Sequence, residues 1–266
     1  MKSIMSINRK FMEYSPKDLI EIVKSKSELI DGFEISINYN DNDELNYLKE
    51  LAFECSKNNM FFQVHGNSSL DIDTQVNFFK ELYSISDELG YKINVVLHSV
   101  TGKDNDESII LTTNYLNELS EKIDNSKTII SLENLNDTYD DDRLDLEQIT
   151  PIAFNNENIY CTYDIGHVIA DYGKITDIDE NMIPLLTNIH IHTHNGEYSQ
   201  GFDHKPIFKN DEYWNEIIKG ITLLKLYKYD GPIVFEYDLY ACPGGTTLDK
   251  IYSYIESMEF VTLRIK

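Results

Sequence analysis

Residues 158–167 read NIYCTYDIGH, and this stretch decides the fold. It opens as a run of β-branched and aromatic residues, the composition of a strand, and closes on a carboxylate, Asp164, with His167 three residues on. A similar run, TIISLEN (128–134), stands upstream, and another, NIHIHTH (188–194), stands downstream. Each lies roughly 30 residues away, the length of one strand–helix unit. Further out the pattern repeats in SIMSIN (3–8), GFEISIN (32–38), FFQVHG (61–66), INVVLHS (93–99) and PIVFEY (232–237). The segments between these runs carry helical spacing: Leu45, Leu48, Leu51, Ala52 and Cys55 share one face. Ser15-Pro16, and Asp71 or Asp73, are suitable N-caps. Strand and helix thus alternate eight times with no linker or composition break. That pattern predicts an α/β chain folded as a single (β/α)8 TIM barrel domain over residues 1–266. A doubly wound open sheet would bring a Gly-rich nucleotide loop after an early strand, and the sequence has none.

Composition narrows the function. A chain of 266 residues with 41% hydrophobic and 26% charged residues folds without help from disulfides. Cys55, Cys161 and Cys242 are odd in number and far apart, which fits a reducing cytoplasm. No apolar stretch approaches the ~20 residues of a membrane span, and MKSIMSINRKFMEYSPKD lacks a secretory apolar core. The formal net charge is −23. Nucleic-acid binding is driven by cations that displace phosphate counterions. No Lys/Arg cluster exceeds two residues, so polynucleotides and anionic membranes are disfavoured as partners. The acidic runs NDNDE (40–44) and DNDE (104–107) resemble the opening of a calcium loop. From Asp41, however, Asn46 and Ala52 stand where Gly and Glu are required. They read as helix caps, and DDDRLDLE (140–147) as a solvated helix start.

A barrel of this kind carries its active site at the C-terminal mouth. The residues that close the strands are His65, His98, Glu133, Asp164 with His167, His190, His192 and His194, then Asp203-His204, and finally Glu236. All seven histidines fall in the last part of a strand or in the loop behind it. Imidazole with carboxylate is the donor set of Zn²⁺, Mn²⁺ or Fe²⁺. Strand alternation points His190, His192 and His194 to one side. They differ in depth, which makes His192 the first choice as ligand, His194 the second, and leaves His190 deeper in the barrel. In CPGGTTLDK (242–250), Gly244 and Gly245 before Thr246 form either an anion cradle or a Thr-capped turn. Trp214, Tyr213 and Tyr237 are aromatic candidates for stacking on a ligand, and helix packing is the other reading of Trp214.

The ordered series QVHG, VLHS, SLENL, YDIGH, HIHTHN, DH and VFEY resembles the xylose isomerase-like TIM barrels, a superfamily that includes endonuclease IV. The resemblance runs from about residue 3 to 258, and Asp164-x-x-His167 between Glu133 and Glu236 is its most specific part. It implies that Glu133, Asp164, His192 and Glu236 form the metal site shared by the isomerases and epimerases. His65, His98, His167 and His204 match the additional ligands of the endonuclease IV branch, where three zinc ions sit together. Phe202 stands where that branch has Asp, so the resemblance implies two ions, zinc or manganese, rather than three.

Two activities follow from the resemblance. The first is metal-dependent isomerisation or epimerisation of a sugar, polyol or sugar phosphate. Glu133 and Glu236 would exchange the carbon-bound proton and His167 would move one between oxygens. The second is zinc-dependent phosphodiester hydrolysis, which gives His65 and His98 a task but fits poorly with the charge of −23. A small carbohydrate-like substrate is the expected partner.

Overall fold

The computed structural model describes residues 1–66, 71–135, 144–175, 178–193, 204–208 and 211–265. Eight strands close into a barrel: β1 (Lys2–Ile7), β2 (Gly32–Ser36), β3 (Phe61–His65), β4 (Ile93–Leu97), β5 (Thr128–Glu133), β6 (Ile159–Asp164), β7 (Leu186–Ile191) and β8 (Pro232–Phe235). Every strand pairs in parallel with its chain neighbour, and β8 closes on β1 with Met5 opposite Phe235. The eight helices are α1 (Pro16–Lys26), α2 (Asn42–Lys57), α3 (Ile72–Leu89), α4 (Asn105–Lys122), α5 (Leu146–Phe154), α6 (Ile165–Tyr172), α7 (Trp214–Leu226) and α8 (Thr247–Ile265).

Polar residues ahead of the apolar face start most of these helices, α7, entered at Tyr213 with no side-chain cap, being an exception. The Ser15 hydroxyl accepts the Asp18 N–H ahead of Pro16, and Asp41, Asp71 and Asp104 cap α2, α3 and α4 in the same way. The first two acidic runs are therefore caps. The third ends in Asp145, which forms a capping box with Gln148, while residues 136–143 lie outside the described set. β7 starts two residues earlier than its sequence run and ends three earlier. A 3-10 turn holding Pro184 leads directly into it, and Thr193 leaves the barrel to pair antiparallel with Lys205. His194 lies outside the described residues.

The apolar core fills the space between barrel and helices, where Leu48, Leu51, Phe79, Leu116, Ile217 and Tyr254 are fully buried. Each such side chain contributes roughly 1.5–3 kcal/mol relative to exposure. The barrel's own interior is different. Glu34, Gln63, Ser131, Thr162, Asn188 and His190 are all 0% exposed there. Asn188 Oδ1 accepts from Thr162 Oγ1 (2.6 Å) and Asn94 Nδ2 (3.3 Å), and Ser131 is 2.6 Å from Thr162. A buried polar layer is stable only when hydrogen-bonded, because each orphan group costs about 1–3 kcal/mol. This layer forms the floor of the site. Among the described residues, no helix is long and apolar enough to cross a membrane.

Candidate metal and active site

The barrel strands bring His65, Glu133 and Asp164 to their C-terminal ends, and His98, His192 and Glu236 follow one residue beyond β4, β7 and β8. Glu133 is the hub. Its Oε2 lies 3.1 Å from His65 Nε2 and 3.2 Å from His98 Nε2, and its Oε1 lies 2.7 Å from His190 Nδ1. His190 Nδ1 is also 2.9 Å from Glu236 Oε2. Glu236 Oε1 reaches to 3.8 Å from His65, and Glu236 Oε2 to 3.7 Å from His204. On the other side, Asp164 Oδ1 lies 3.3 Å from His192 Nε2. The His192 ring stacks on His204 at 4.1 Å, and His167 stands edge-on to both.

Local structure fixes these side chains. Asp164 ends β6 and is also the N-cap of α6, its Oδ1 accepting the His167 N–H at 2.8 Å. One helical turn thus sets the spacing of the Asp-x-x-His pair. Asn134, just past β5, locks that turn: its side chain accepts the Asp164 N–H (2.7 Å), and its carbonyl lies 2.9 Å from His167 Nδ1. His65 Nδ1 likewise lies 3.2 Å from the Gly66 carbonyl. With Nδ1–H given to a backbone oxygen, each ring presents Nε2 to the centre, the usual preparation of a metal-ligating imidazole. Gly166 leaves room for the His192 ring. A Cβ at that position would overlap His192 Nε2 and come within 2.5 Å of Cε1 and 2.6 Å of Cδ2.

Three sets of donor atoms each fall within 4.8 Å: His65, Glu133, His190 and Glu236; Glu133, Asp164 and His167; and His167, His192 and His204. The resemblance implies one site of Glu133, Asp164, His192 and Glu236, with His65, His98, His167 and His204 as additional ligands. The structure also sets His190 between Glu133 and Glu236, and His192, 3.3 Å from Asp164, lies against His167 and His204 as well. Two residues of strand separate His190 from His192 by about 6.6 Å, so they serve different heights of the site. Phe202 and Asp203 lie outside the described residues. The donors suit a divalent ion of borderline softness, and Asp164 Oδ2 is buried with no hydrogen-bond partner, as a carboxylate awaiting a cation would be.

Burial alone would push these carboxylates up and the imidazoles down; it prevails at His98, whereas mutual contacts reverse it at Glu133, Glu236, His65 and His190. The His190 charge and hydrogen bonds hold Glu133 and Glu236 well below the usual carboxylate range. Glu34, Glu133 and Glu236 hold His190 well above 6.5, and Glu133 raises His65 to about 9. A raised imidazole contributes stability that is complete below pH ~6.5 and fades as pH passes the folded value. Chelator-treated protein should therefore lose stability between pH 6.5 and 9, at about 1.4 kcal/mol per pH unit for each proton involved. Zinc must displace the His65 proton, so its affinity should climb about tenfold per unit over the same window. Calorimetry in buffers of different ionisation enthalpy counts the released proton, and a pH-independent affinity would remove His65 from the ligand set.

Two weaker sequence candidates sit elsewhere. The Trp214 ring packs 4.9 Å from Phe260, with the Arg264 guanidinium 5.9 Å away, in the seam between α7 and α8. Beside Gly244 and Gly245, the Thr246 N–H donates to Asp249 Oδ2 (3.1 Å) while Thr246 Oγ1 accepts the Asp249 N–H, so the turn satisfies itself. Tyr237 is buried beside Glu236, and Tyr213 packs partly buried on the core. Sequence reasoning passed over Glu34, whose signal was a charge in mid-strand of GFEIS, and also Asn134, Gly166 and the part taken by His190.

Residues 27–262 match the model of the family described as the xylose isomerase-like TIM barrel. The chain belongs to that family. No curated protein matches it. Among solved structures it is similar to the D-psicose 3-epimerase of Clostridium cellulolyticum H10 with D-tagatose, at 16% identity over 100% of both chains and a TM-score of 0.68. It is similar to the IOLI protein with a bound zinc atom, at 17% identity over 100% of this chain and 99% of that one, with a TM-score of 0.69. The 3-keto-D-glucoside 4-epimerase YcjR of E. coli gives 17% identity over 98% of each chain and a TM-score of 0.63. These likenesses establish a shared xylose isomerase-like barrel.

Proposed function

We propose that this xylose isomerase-like barrel is a metal-dependent isomerase or epimerase of an unphosphorylated sugar or polyol. The carrying observation is the pair Glu133 and Glu236, each lying with one oxygen against His190 Nδ1 and the other on the side of His65 Nε2. Glu133, Asp164, His192 and Glu236 would hold a divalent ion, zinc or manganese, and His65 and His98 beside Glu133 supply ligands for a second. When bound, the ion would polarise the substrate carbonyl and make the neighbouring C–H more acidic. Glu133 Oε2 and Glu236 Oε1 then take the proton from one face of that carbon and return one from the other. His167 Nε2, with Nδ1 tied to the Asn134 carbonyl, would shift a proton between the two substrate oxygens.

The lining of the mouth supports the choice of substrate class. A cavity of about 210 Å³ beside Glu236 is bounded by Ser6, Asn8, Ser36, His204, Tyr237 and Asp238, groups that recognise hydroxyls and include no Lys or Arg. Lys10, nearby, is held by Asp238 at 2.7 Å and lies over the Tyr240 ring. The Gly244-Gly245 turn offers its Thr246 N–H to Asp249 instead of a phosphate. The relatives named for D-psicose and 3-keto-D-glucoside epimerisation support this reading. The His167–His192–His204 group favours a second one, multi-zinc phosphodiester hydrolysis, but among the described residues that line the same cavity there is no Lys or Arg to meet a phosphodiester.

The test is to incubate metal-loaded protein with free ketoses in D₂O and follow deuterium entering the carbon beside the carbonyl. Elemental analysis of the same sample should count two ions per chain. Glu236→Gln should keep the fold, weaken metal binding and abolish exchange. Cleavage of abasic DNA with no exchange on any sugar would transfer the site to the hydrolase reading.

A further inference from the structure

Below the two proposed acid–base carboxylates lies a third, Glu34, in the middle of β2 and 0% exposed. It faces the barrel interior. Glu34 Oε2 accepts from Gln63 Nε2 at 2.6 Å and lies 3.2 Å from His190 Nε2. The opposite edge of that ring, Nδ1, stands between Glu133 Oε1 and Glu236 Oε2 at 2.7 and 2.9 Å. Asn188 Nδ2 packs 3.0 Å from the same Nε2 but is itself a donor, so the acceptor for an Nε2 proton is Glu34. Stability alone does not account for this arrangement. A buried carboxylate costs several kcal/mol in desolvation. Glu34 also leaves Oε1 with no hydrogen-bond partner, and Gln63 does the same. A neutral pair of similar volume would fill the floor of the barrel at lower cost.

We infer that Glu34 is a positioning residue acting through His190: it fixes the rotation of the imidazole, and the imidazole fixes Glu133 and Glu236 relative to each other. Its catalytic consequence rests on the isomerase or epimerase reading, whereas its effect on the two carboxylates does not. With one oxygen of each carboxylate tied to the same ring nitrogen, the other two are presented together to the metal and the substrate. Loosening the ring leaves every proposed ligand in place and blurs only their geometry. Hydrogen-bond partners that orient a ligating or reacting side chain in this way are worth about 10–100-fold in metal affinity or activity.

The experiment is a double-mutant cycle of Glu34→Gln and His190→Gln, read in zinc affinity by competition with a chromogenic chelator and in kcat on any ketose found to turn over. Glu34→Gln should lower zinc affinity about tenfold or more and reduce kcat more than it raises KM. Adding it to His190→Gln should bring no further loss, because the residue through which it acts is already gone. In unsubstituted protein labelled with ¹⁵N-histidine, the His190 ring signals, assigned by their loss in His190→Gln, should show a slowly exchanging Nε2 proton. This measurement requires no variant to fold with Glu34 altered. Additive losses in zinc affinity, or an Nε2 that exchanges freely with water, would overturn the inference. Coupled zinc affinities with no turnover of any ketose would keep it and remove the isomerase reading instead.

Discussion

Glu133→Gln should leave a folded barrel that binds less than one-tenth of the wild-type metal and turns substrate over at least ~10³-fold more slowly. The fold survives because β5 is held by backbone ladders to β4 and β6, and the amide keeps the shape of the carboxylate. The site does not. One carboxylate now serves His65, His98 and His190, and an amide offers a single acceptor and turns a donor toward one of those rings. Removing one partner of a buried charge pair costs about 3–5 kcal/mol, so thermal unfolding of the metal-free variant should come earlier. Elemental analysis, circular dichroism and turnover measured on one preparation separate the three effects. Full metal content in Glu133→Gln would dismiss it as the shared ligand.

Gly166→Ala should produce a comparable loss without touching any ligand atom. The added methyl would stand where the His192 ring now lies, and the ring has little freedom to retreat because His204 stacks against its face. Overpacking of this kind costs about 1–3 kcal/mol, and the displaced imidazole should lower metal affinity by about 10–100-fold. Gly166→Ala has helical propensity in its favour, since Ala stabilises a helix interior by ~1 kcal/mol over Gly. A net loss of stability therefore measures the clash directly. Should the variant prove more stable and bind metal normally, the close approach of α6 to His192 is not a constraint on the site.

Much of this arrangement could be read from the chain, and particular residues show where reading stopped. NIYCTYDIGH announces Asp164 at a strand end because a lone carboxylate after an apolar run has nowhere else to go. The same logic places His65, His98, Glu133 and Glu236. It fails for Glu34, because a charge inside a strand reads as a break in the pattern unless its partner is known, and that partner, His190, is 156 residues away. Depth misled in a related way. Alternation correctly puts His190 and His192 on one side, but side-chain length lets the deeper one reach up between Glu133 and Glu236. Trp214 followed helix packing and left the mouth, a choice that depends on Phe260 and Arg264 across the α7–α8 seam. Contacts of that range leave no local periodicity to read.

The junction at Asp164 bears on how such a barrel can change. Every other strand is joined to its helix by a connecting segment, but β6 ends at Asp164 and α6 begins at Ile165. Insertions elsewhere around the rim can reshape what the mouth accepts, since loop lengthening is tolerated at small entropic cost. An insertion here would rotate His167 about 100° for each added residue and separate it from the carboxylate that caps its own helix. On this one flank the spacing of the site is set by the pitch of a helix. Novelty in substrate must therefore come from the other seven junctions, while this one serves as the fixed datum against which they are measured.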